Sequence, residues 1–373
     1  MNNWQMEVGA QVRAAQMAEA EYQQTMTEDS GLEWFQRNWE LGNLLQKQGA
    51  LPQAEEVYHT GLAICLELLE RFNSRRAKRR LAVTYKDLGE VLFTQNRRKE
   101  AQQYYQQCIE YCRNLFQTED TNAVEWRAYY AALGKMGELH WAEKRYDDAQ
   151  YWFQEGIRTC RNLLLEHEDP LERANLALLY QLTGNFYQGL GNPRKAVLYY
   201  QQCIEQLEQL LRENWQITGI DVPVRLSEGL ESLSSIFQQE NNHVQTERCQ
   251  QRCVELWRQR LAETRGAGAA FKLSNALEDL GITLQLAGNP EASMEPLLEC
   301  LSLRRQLYQM EKSEMYFHSL GLVYYNLSMG TEDGRRHYAM KAYEVFNQLC
   351  KEHPETELYV KQKNTIVRSH MTG

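Results

Sequence analysis

Small residues that follow an apolar residue return along this chain at a nearly constant interval. They stand 47, 48, 47, 50, 47 and 40 residues apart, at Gly42, Gly89, Gly137, Gly184, Ser234, Gly281 and Gly321. Sixteen residues after each of the first four comes an aromatic ring, at Tyr58, Tyr105, Phe153 and Tyr200. A fixed period of this length is typical of repeat architectures. The pattern therefore predicts about seven similar units of about 47 residues.

Each unit is predicted to be a pair of helices joined by a turn. Turn-forming segments such as QGALP, TQNRRKE, GLGNPRK and LAGNPEA separate the two helices, and residues that favour helix dominate on both sides. The predicted pairs are 30–72, 74–117, 121–167, 170–213, 223–264, 270–310 and 313–352. A helix over 3–25 and a polar helix over 354–369 are expected to cap the two ends of the array.

One junction differs from the others. The segment ENWQITGIDVPVRL contains β-branched residues, Gly219 and Pro223, and cannot continue a helix. It is either a hinge with a local change of pitch or simply a longer loop. The predicted organisation is a capping helix (1–29), repeats 1–4 (30–213), the irregular junction (214–222), repeats 5–7 (223–352), and a capping helix with a tail (353–373).

The heptapeptide YYQQCIE occurs twice, at 104–110 and 199–205, so its cysteine invites a catalytic or metal-binding interpretation. Cysteines nevertheless recur at two fixed repeat positions, one with Cys108, Cys203, Cys253 and Cys300, the other with Cys65, Cys112 and Cys160. The i, i+4 pairs lack a histidine at ligand spacing, which argues against zinc. We therefore interpret the cysteines as small spacers between helices, and we predict no metal and no cofactor.

This spacing of small and aromatic positions resembles the tetratricopeptide repeat family, in its long-period bacterial variety. The ordinary repeat of that family has about 34 residues, so about 13 are added here. The resemblance implies an all-α, right-handed superhelical solenoid of about seven helix pairs. It also implies a non-catalytic scaffold or adaptor, whose concave groove is lined by the first helix of each pair (helix A) and binds a protein segment or peptide.

The family's ligand-facing positions can be carried over to this chain. They fall on Trp39, Asn43, Lys47, Lys86, Glu90, Phe93, Glu138, Trp141, Gln181, Asn185, Gln188, Glu228, Glu231, Gln238, Glu278, Gln285, His318 and Tyr325. Trp39 and Glu90 replace the Lys and Asn of the family's carboxylate clamp, so we do not predict binding of a chaperone tail. Aromatic, amide and acidic groups suit a polypeptide with basic side chains. Alternatively, Phe93 and Trp141 pack between adjacent A helices.

A basic cluster stands out in a chain of net charge −9, at Arg75, Arg76, Arg79, Arg80, Arg97 and Arg98. It predicts either an anion-binding patch or arginines that pair with glutamates on neighbouring helices. The acidic balance and the lack of interleaved aromatic residues do not favour nucleic acid.

Other features narrow the class of protein. No phosphate loop, HExxH, GxSxG or paired CxxC motif is present, so we do not predict an enzyme. There is no apolar leader and no run of about 18 apolar residues, and nine cysteines suit a reducing compartment, so we expect a cytoplasmic protein without a membrane partner. An alternative to the adaptor is a regulatory or sensor subunit that binds a signalling peptide or a separate effector protein and changes its superhelical pitch.

Overall fold

The computed structural model describes residues 3–118, 122–215, 217–330 and 332–370. Within these ranges it contains sixteen helices and one isolated β-bridge, between Ile217 and Ile220. Within each of the two units described below, consecutive helices pack as a repeat array, which confirms the all-α prediction. The ends of the predicted caps, at 1–2 and 371–373, lie outside the described residues. The chain divides into two compact units, Met1–Leu190 and Gly191–Gly373.

The first unit begins with α1 (Asn3–Thr25), which packs on α2. Three helix pairs follow, namely α2 (Glu28–Lys47) with α3 (Leu51–Phe72), α4 (Arg75–Thr94) with α5 (Arg98–Thr118), and α6 (Ala123–Ala142) with α7 (Tyr146–Glu166). The unit ends with α8 (Pro170–Gly189). The A helices α2, α4, α6 and α8 also contact one another in sequence, so they form a continuous layer.

The second unit begins with α9 (Pro193–Arg212). Its pairs are α10 (Val222–Gln239) with α11 (His243–Thr264), α12 (Ala267–Leu286) with α13 (Pro290–Met310), and α14 (Glu314–Ser328) with α15 (Glu332–Glu352). The last helix, α16 (Glu357–His370), packs on α15. The described residues between α9 and α10 are not helical. Gly219 there has a φ of +81°, in the left-handed region that glycine adopts without strain.

A common turn ends the first helix of most pairs. In it one residue takes a left-handed conformation, as Gly49, Asn96, Lys144, Asn241 and Gly288 do. The next backbone N–H then donates to a carbonyl five residues earlier, as Ala50 does to Leu45 at 2.9 Å and Asn289 to Leu284 at 2.9 Å. This Schellman arrangement satisfies helix-end carbonyls that would otherwise lack donors. It explains why the turn segments in the sequence mark the helix ends.

In the first three repeats the glycine on the first helix of the pair (helix A) touches the ring on the second helix (helix B). A Cβ atom built on Gly42, Gly89 or Gly137 would lie 2.6, 2.6 or 2.7 Å from the ring of Tyr58, Tyr105 or Phe153, respectively. No side chain fits at such distances unless the ring moves. The glycine is therefore required by the close approach of the ring.

Eight of the nine cysteines are buried, and Cys350 is half-buried. The Cys112 thiol donates to the carbonyl of Glu125 at 3.6 Å, and the Cys160 thiol to that of Glu172 at 3.5 Å. Each of these contacts joins a helix B to the following helix A. Burial raises the pKa of Cys65 to about 12, which keeps that thiol protonated. The cysteines thus lie between helices, as the spacer interpretation predicts.

Ion pairs join successive A helices near their amino ends. Arg79 on α4 binds Glu125 on α6 at 2.7 Å, and Arg127 on α6 binds Glu172 on α8 at 2.5 Å. In both cases the fifth residue of one helix reaches the third residue of the next. Glu172 is fully buried and also accepts a hydrogen bond from Tyr130. This repeated pair fixes the lateral register of the three helices.

Candidate functional site

Two of the predicted ligand-facing residues in the first unit are joined through a buried aspartate. The indole N–H of Trp39 donates to Asp87 Oδ2 at 2.8 Å, and Lys86 Nζ lies 2.6 Å from Asp87 Oδ1. Lys86 also lies 3.4 Å from Glu90. Burial opposes the charge of Lys86, but the attraction of the two carboxylates outweighs it and raises the pKa of this lysine. Trp39, Lys86 and Glu90 therefore form one ordered polar patch.

The next predicted residues on α2 differ in their surroundings. Asn43 accepts a hydrogen bond from the Tyr58 hydroxyl at 2.8 Å, so its amide oxygen already has a partner. Lys47, one turn later, is exposed. Of these two, Lys47 has the more open position for a ligand.

Phe93 and Trp141 take part in contacts between neighbouring A helices, and Glu138 pairs with a lysine of its own helix. Lys135 on α6 lies 5.1 Å from the centre of the Phe93 ring on α4 and 2.8 Å from Glu138. Trp141 packs edge-on against Phe186 of α8, with ring centres 5.9 Å apart. Both rings remain half-buried. These contacts support the alternative that Phe93 and Trp141 pack between A helices. On α8, the three predicted amides are also half-buried, at Gln181, Asn185 and Gln188.

In the second unit, Glu278 on α12 belongs to a buried network. Its carboxylate forms two hydrogen bonds with Arg304, at 2.9 and 2.5 Å, and Arg304 is only 2% exposed. Asn326 donates to the same carboxylate at 2.8 Å, and Gln285 donates to the carbonyl of Asn326, also at 2.8 Å. Glu278 and Gln285 thus hold helices together. His318 similarly forms a hydrogen bond with Gln362 at 3.0 Å.

Two cavities lie on either side of α12. The first, of about 310 Å³, lies among α10, α11 and α12 and is called the polar cavity because most of its lining residues are polar; they include the predicted Glu231 and Gln238. The second, of about 360 Å³, lies between α12 and the helices α14 to α16 and is mainly apolar; its lining includes the predicted Glu278 and Tyr325. Ile282 lines both. Glu228, also predicted, is exposed on α10.

Three arginines of the basic cluster bind carboxylates on neighbouring elements. The pairs are Arg76 with Asp29, Arg79 with Glu125 and Arg97 with Glu55, each at 2.7 Å. Arg80 lies over the Phe35 ring, 5.6 Å from its centre, while Arg75 and Arg98 are exposed. A cavity of about 540 Å³ beside them is lined by Asp29 and Glu33 as well as by arginines. The mixed charge supports the glutamate-pairing interpretation for these three arginines, and the anion patch stays a prediction.

Two further features were not predicted from the sequence. A cavity of about 790 Å³ lies where the junction 214–222 meets α9 and α11, and its lining includes the half-exposed Trp215. Gln250, which lines the polar cavity beside α12, occupies the repeat position of Tyr58 and Tyr105. Aligning the repeats would have revealed Gln250, but nothing in the sequence indicates the first cavity.

The paired helices, their glycine–ring contacts and the A-helix layer define a helical repeat protein. Sequence models described as "Tetratricopeptide repeat" match residues 36–114, 177–206 and 273–309. The chain therefore contains tetratricopeptide repeats in these three segments. A search of curated proteins gives no match. Among the described residues, none of the helices has both the length and the apolar run needed to cross a bilayer.

Solved structures share the fold at low sequence identity. BtubC (BKLC) from P. vanneervenii is 16% identical with a TM-score of 0.55, over 69% of this chain and 91% of that one. A signal transduction ATPase with a tetratricopeptide repeat sensor, from Pyrococcus horikoshii, is 13% identical with a TM-score of 0.57, over 91% and 46%. The apo form of RapI is 12% identical with a TM-score of 0.57, over 91% and 82%. These likenesses establish the fold alone.

Proposed function

We propose that this chain is a non-catalytic adaptor that binds a protein segment or peptide on its A helices. One observation carries the proposal. The two cavities beside α12 include four residues that the family pattern assigns to ligand contact, Glu231, Gln238, Glu278 and Tyr325. That these four positions deduced from the repeat line cavities in the second unit supports the proposal.

The size and chemistry of the two cavities suit the side chains of a polypeptide. Pockets for complete small ligands range over about 300–1,000 Å³, so each of these cavities is at the lower limit. One is polar and the other mainly apolar, and they are separated by a single helix. An extended peptide can place different side chains in neighbouring pockets while its backbone runs across the helices. Two neighbouring cavities of different polarity therefore suit an adaptor that recognises a short sequence motif.

The test is selection of peptides from a phage-displayed random dodecapeptide library on the immobilised chain. We expect enrichment of a family of related sequences. The double variant Gln238→Ala, Tyr325→Ala should retain these phage at least about tenfold less well, since each cavity loses a contact residue. Met310→Ala on α13 is the matched control, because Met310 is 76% exposed and lies outside both cavities.

Far-ultraviolet circular dichroism and the thermal midpoint establish that the double variant is folded. Selection without any related sequences, or retention that the folded double variant leaves unchanged, would contradict the proposal. A ligand-dependent change in small-angle X-ray scattering by the selected peptide would favour the sensor alternative over the adaptor.

A further inference from the structure

The polar cavity beside α12 exists because the fifth repeat departs from the pattern. In the first three repeats a ring sixteen residues after the helix-A glycine fills the space against that glycine. In the fifth repeat the glycine is replaced by Ser234 and the ring by Gln250. Both line the cavity of about 310 Å³. The missing ring therefore accounts for the opening.

Gln250 lines this cavity and has an unsatisfied acceptor. The residue is 9% exposed, and its Oε1 is buried without a hydrogen-bond partner among the described residues, so a ligand reaches this atom once the side chain turns towards the cavity. A buried carbonyl oxygen without a donor is costly, and such atoms are rare in folded proteins. A ligand that donates a hydrogen bond in the cavity would remove this cost.

The charged groups around Gln250 indicate the charge of that ligand. Glu231 on α10 and Asp279 on α12 line the same cavity, and Lys272 is the cation among the lining residues. Two carboxylates against one ammonium leave a net negative charge, and Gln250 adds an acceptor. The complementary group is a cation with several donors in a fixed geometry, which describes a guanidinium better than an ammonium.

We propose that this cavity binds the arginine side chain of a peptide ligand, with its guanidinium donating to Gln250 Oε1 and to the carboxylates of Glu231 and Asp279. The proposal rests on the adaptor function and specifies the ligand that it recognises. Lys272 supplies a positive charge to the cavity in the absence of ligand and is repelled by the arginine.

The neighbouring apolar cavity adds a second requirement. The two cavities lie on opposite sides of α12, so their centres are separated by about one helix spacing, ~10 Å. An extended chain advances ~3.3–3.6 Å per residue, so this distance spans about three residues. The ligand is therefore an extended segment with an apolar residue about three positions from its arginine.

The ionisation of Asp279 makes the binding depend on pH. Desolvation by the surrounding protein and the neighbouring carboxylates of Glu278 and Glu231 together raise the pKa of Asp279 to about 6, although Arg304 opposes them. Lys272 also faces the cavity from α12, and Gln250 of α11 is neutral. A protonated carboxyl does not attract a guanidinium, so binding should weaken as the pH falls through about 6.

The test uses fluorescein-labelled peptides Gly-Arg-Ser-Ser-Leu-Gly and Gly-Leu-Ser-Ser-Arg-Gly, each with a counterpart in which citrulline replaces arginine. Citrulline keeps the shape but loses the charge. By fluorescence anisotropy on the full chain, we expect one arginine peptide to bind about tenfold more tightly than its citrulline counterpart, since charged hydrogen bonds are the stronger ones. This preference should diminish below pH 6.

The variants have opposite expected effects. Gln250→Met and Asp279→Asn should each reduce the preference for arginine several-fold, whereas Lys272→Gln should tighten binding by removing a like charge. Met310→Ala should change nothing. Gln250→Met replaces an unpaired buried amide by an apolar side chain of similar length, so it should not lower the unfolding midpoint. If Gln250→Met does lower the unfolding midpoint, the folded Asp279→Asn variant tests the arginine site in its place.

Equal affinity for arginine and citrulline, or a preference that folded Gln250→Met and Asp279→Asn leave intact, would overturn the inference. Failure of the arginine site can be distinguished from failure of the adaptor proposal. If library selection yields related sequences without a basic residue, the adaptor stands and the arginine site is wrong. If it yields no related sequences, the adaptor proposal fails.

Discussion

Tyr58 and Tyr105 stand at the same repeat position but have opposite hydrogen-bonding situations. Both rings are buried against a helix-A glycine. The Tyr58 hydroxyl donates to Asn43 Oδ1 at 2.8 Å and lies 3.1 Å from Gln46 Oε1. The Tyr105 hydroxyl is buried and has no partner among the described residues. Removing this one oxygen should therefore have opposite effects at the two positions.

The structure gives a magnitude for each change. A buried hydroxyl without a partner costs ~1–3 kcal/mol in protein mutational data, so Tyr105→Phe should raise the free energy of unfolding by about 1 kcal/mol or more. Tyr58→Phe removes a formed hydrogen bond and should lower it by ~0.5–1.5 kcal/mol. The third repeat already has phenylalanine at this position, Phe153, so the ring alone is compatible with the packing.

Guanidinium chloride denaturation followed by far-ultraviolet circular dichroism compares the two variants with the parent chain. Because repeat arrays can open in parts, amide hydrogen exchange of α4 and α5 supplies a local measurement for Tyr105→Phe. Faster exchange there, or a midpoint lowered as much as by Tyr58→Phe, would refute the reasoning. It would mean that the Tyr105 hydroxyl has a partner, such as an ordered water.

Two further predictions concern the packing between helices. In the folded chain we expect a thiol reagent such as DTNB to modify Cys350 first and the eight buried cysteines only after denaturation. Burial excludes the reagent and also raises the pKa of buried thiols, for Cys249 to about 11. Fast modification of several thiols in the folded chain would contradict this prediction. Arg127→Met should destabilise the first unit by about 3–5 kcal/mol in urea denaturation, since it leaves the buried Glu172 without its cation. Arg97→Met, at a pair with the less buried Glu55, should destabilise it much less, and equal losses would show that burial of Glu172 does not matter.

The sequence predicted the helices well because two local signals agree in it. The period sets the number of pairs, and the Schellman turns mark where most of the first helices end. The second helices α3 and α13 end at the residues predicted for their pairs, 72 and 310. The family, the all-α class and the burial of the repeated cysteines follow from the same pattern.

The candidate site was less predictable. The repeat register indicates which helix face a residue occupies, but not which neighbour its side chain selects. Glu278, predicted to face a ligand, lines the apolar cavity and also binds Arg304, an arginine where the earlier repeats have cysteine, leucine or tryptophan. Trp39 likewise reaches Asp87, 48 residues away, in the next helix A. Such contacts depend on single residues, so a periodic pattern does not specify them.

The close fit between a helix-A glycine and a helix-B ring also restricts how such a chain can evolve. A larger residue at one position is accommodated only if the other becomes smaller or more flexible. Ser234 with Gln250 at the ring position satisfies this condition. In the next repeat Gly281 keeps a close contact, but with the side chain of Leu297 in place of a ring. The two positions should therefore change together in descendants of this chain, and a repeat in which they do so can acquire a new recognition surface without losing its place in the stack.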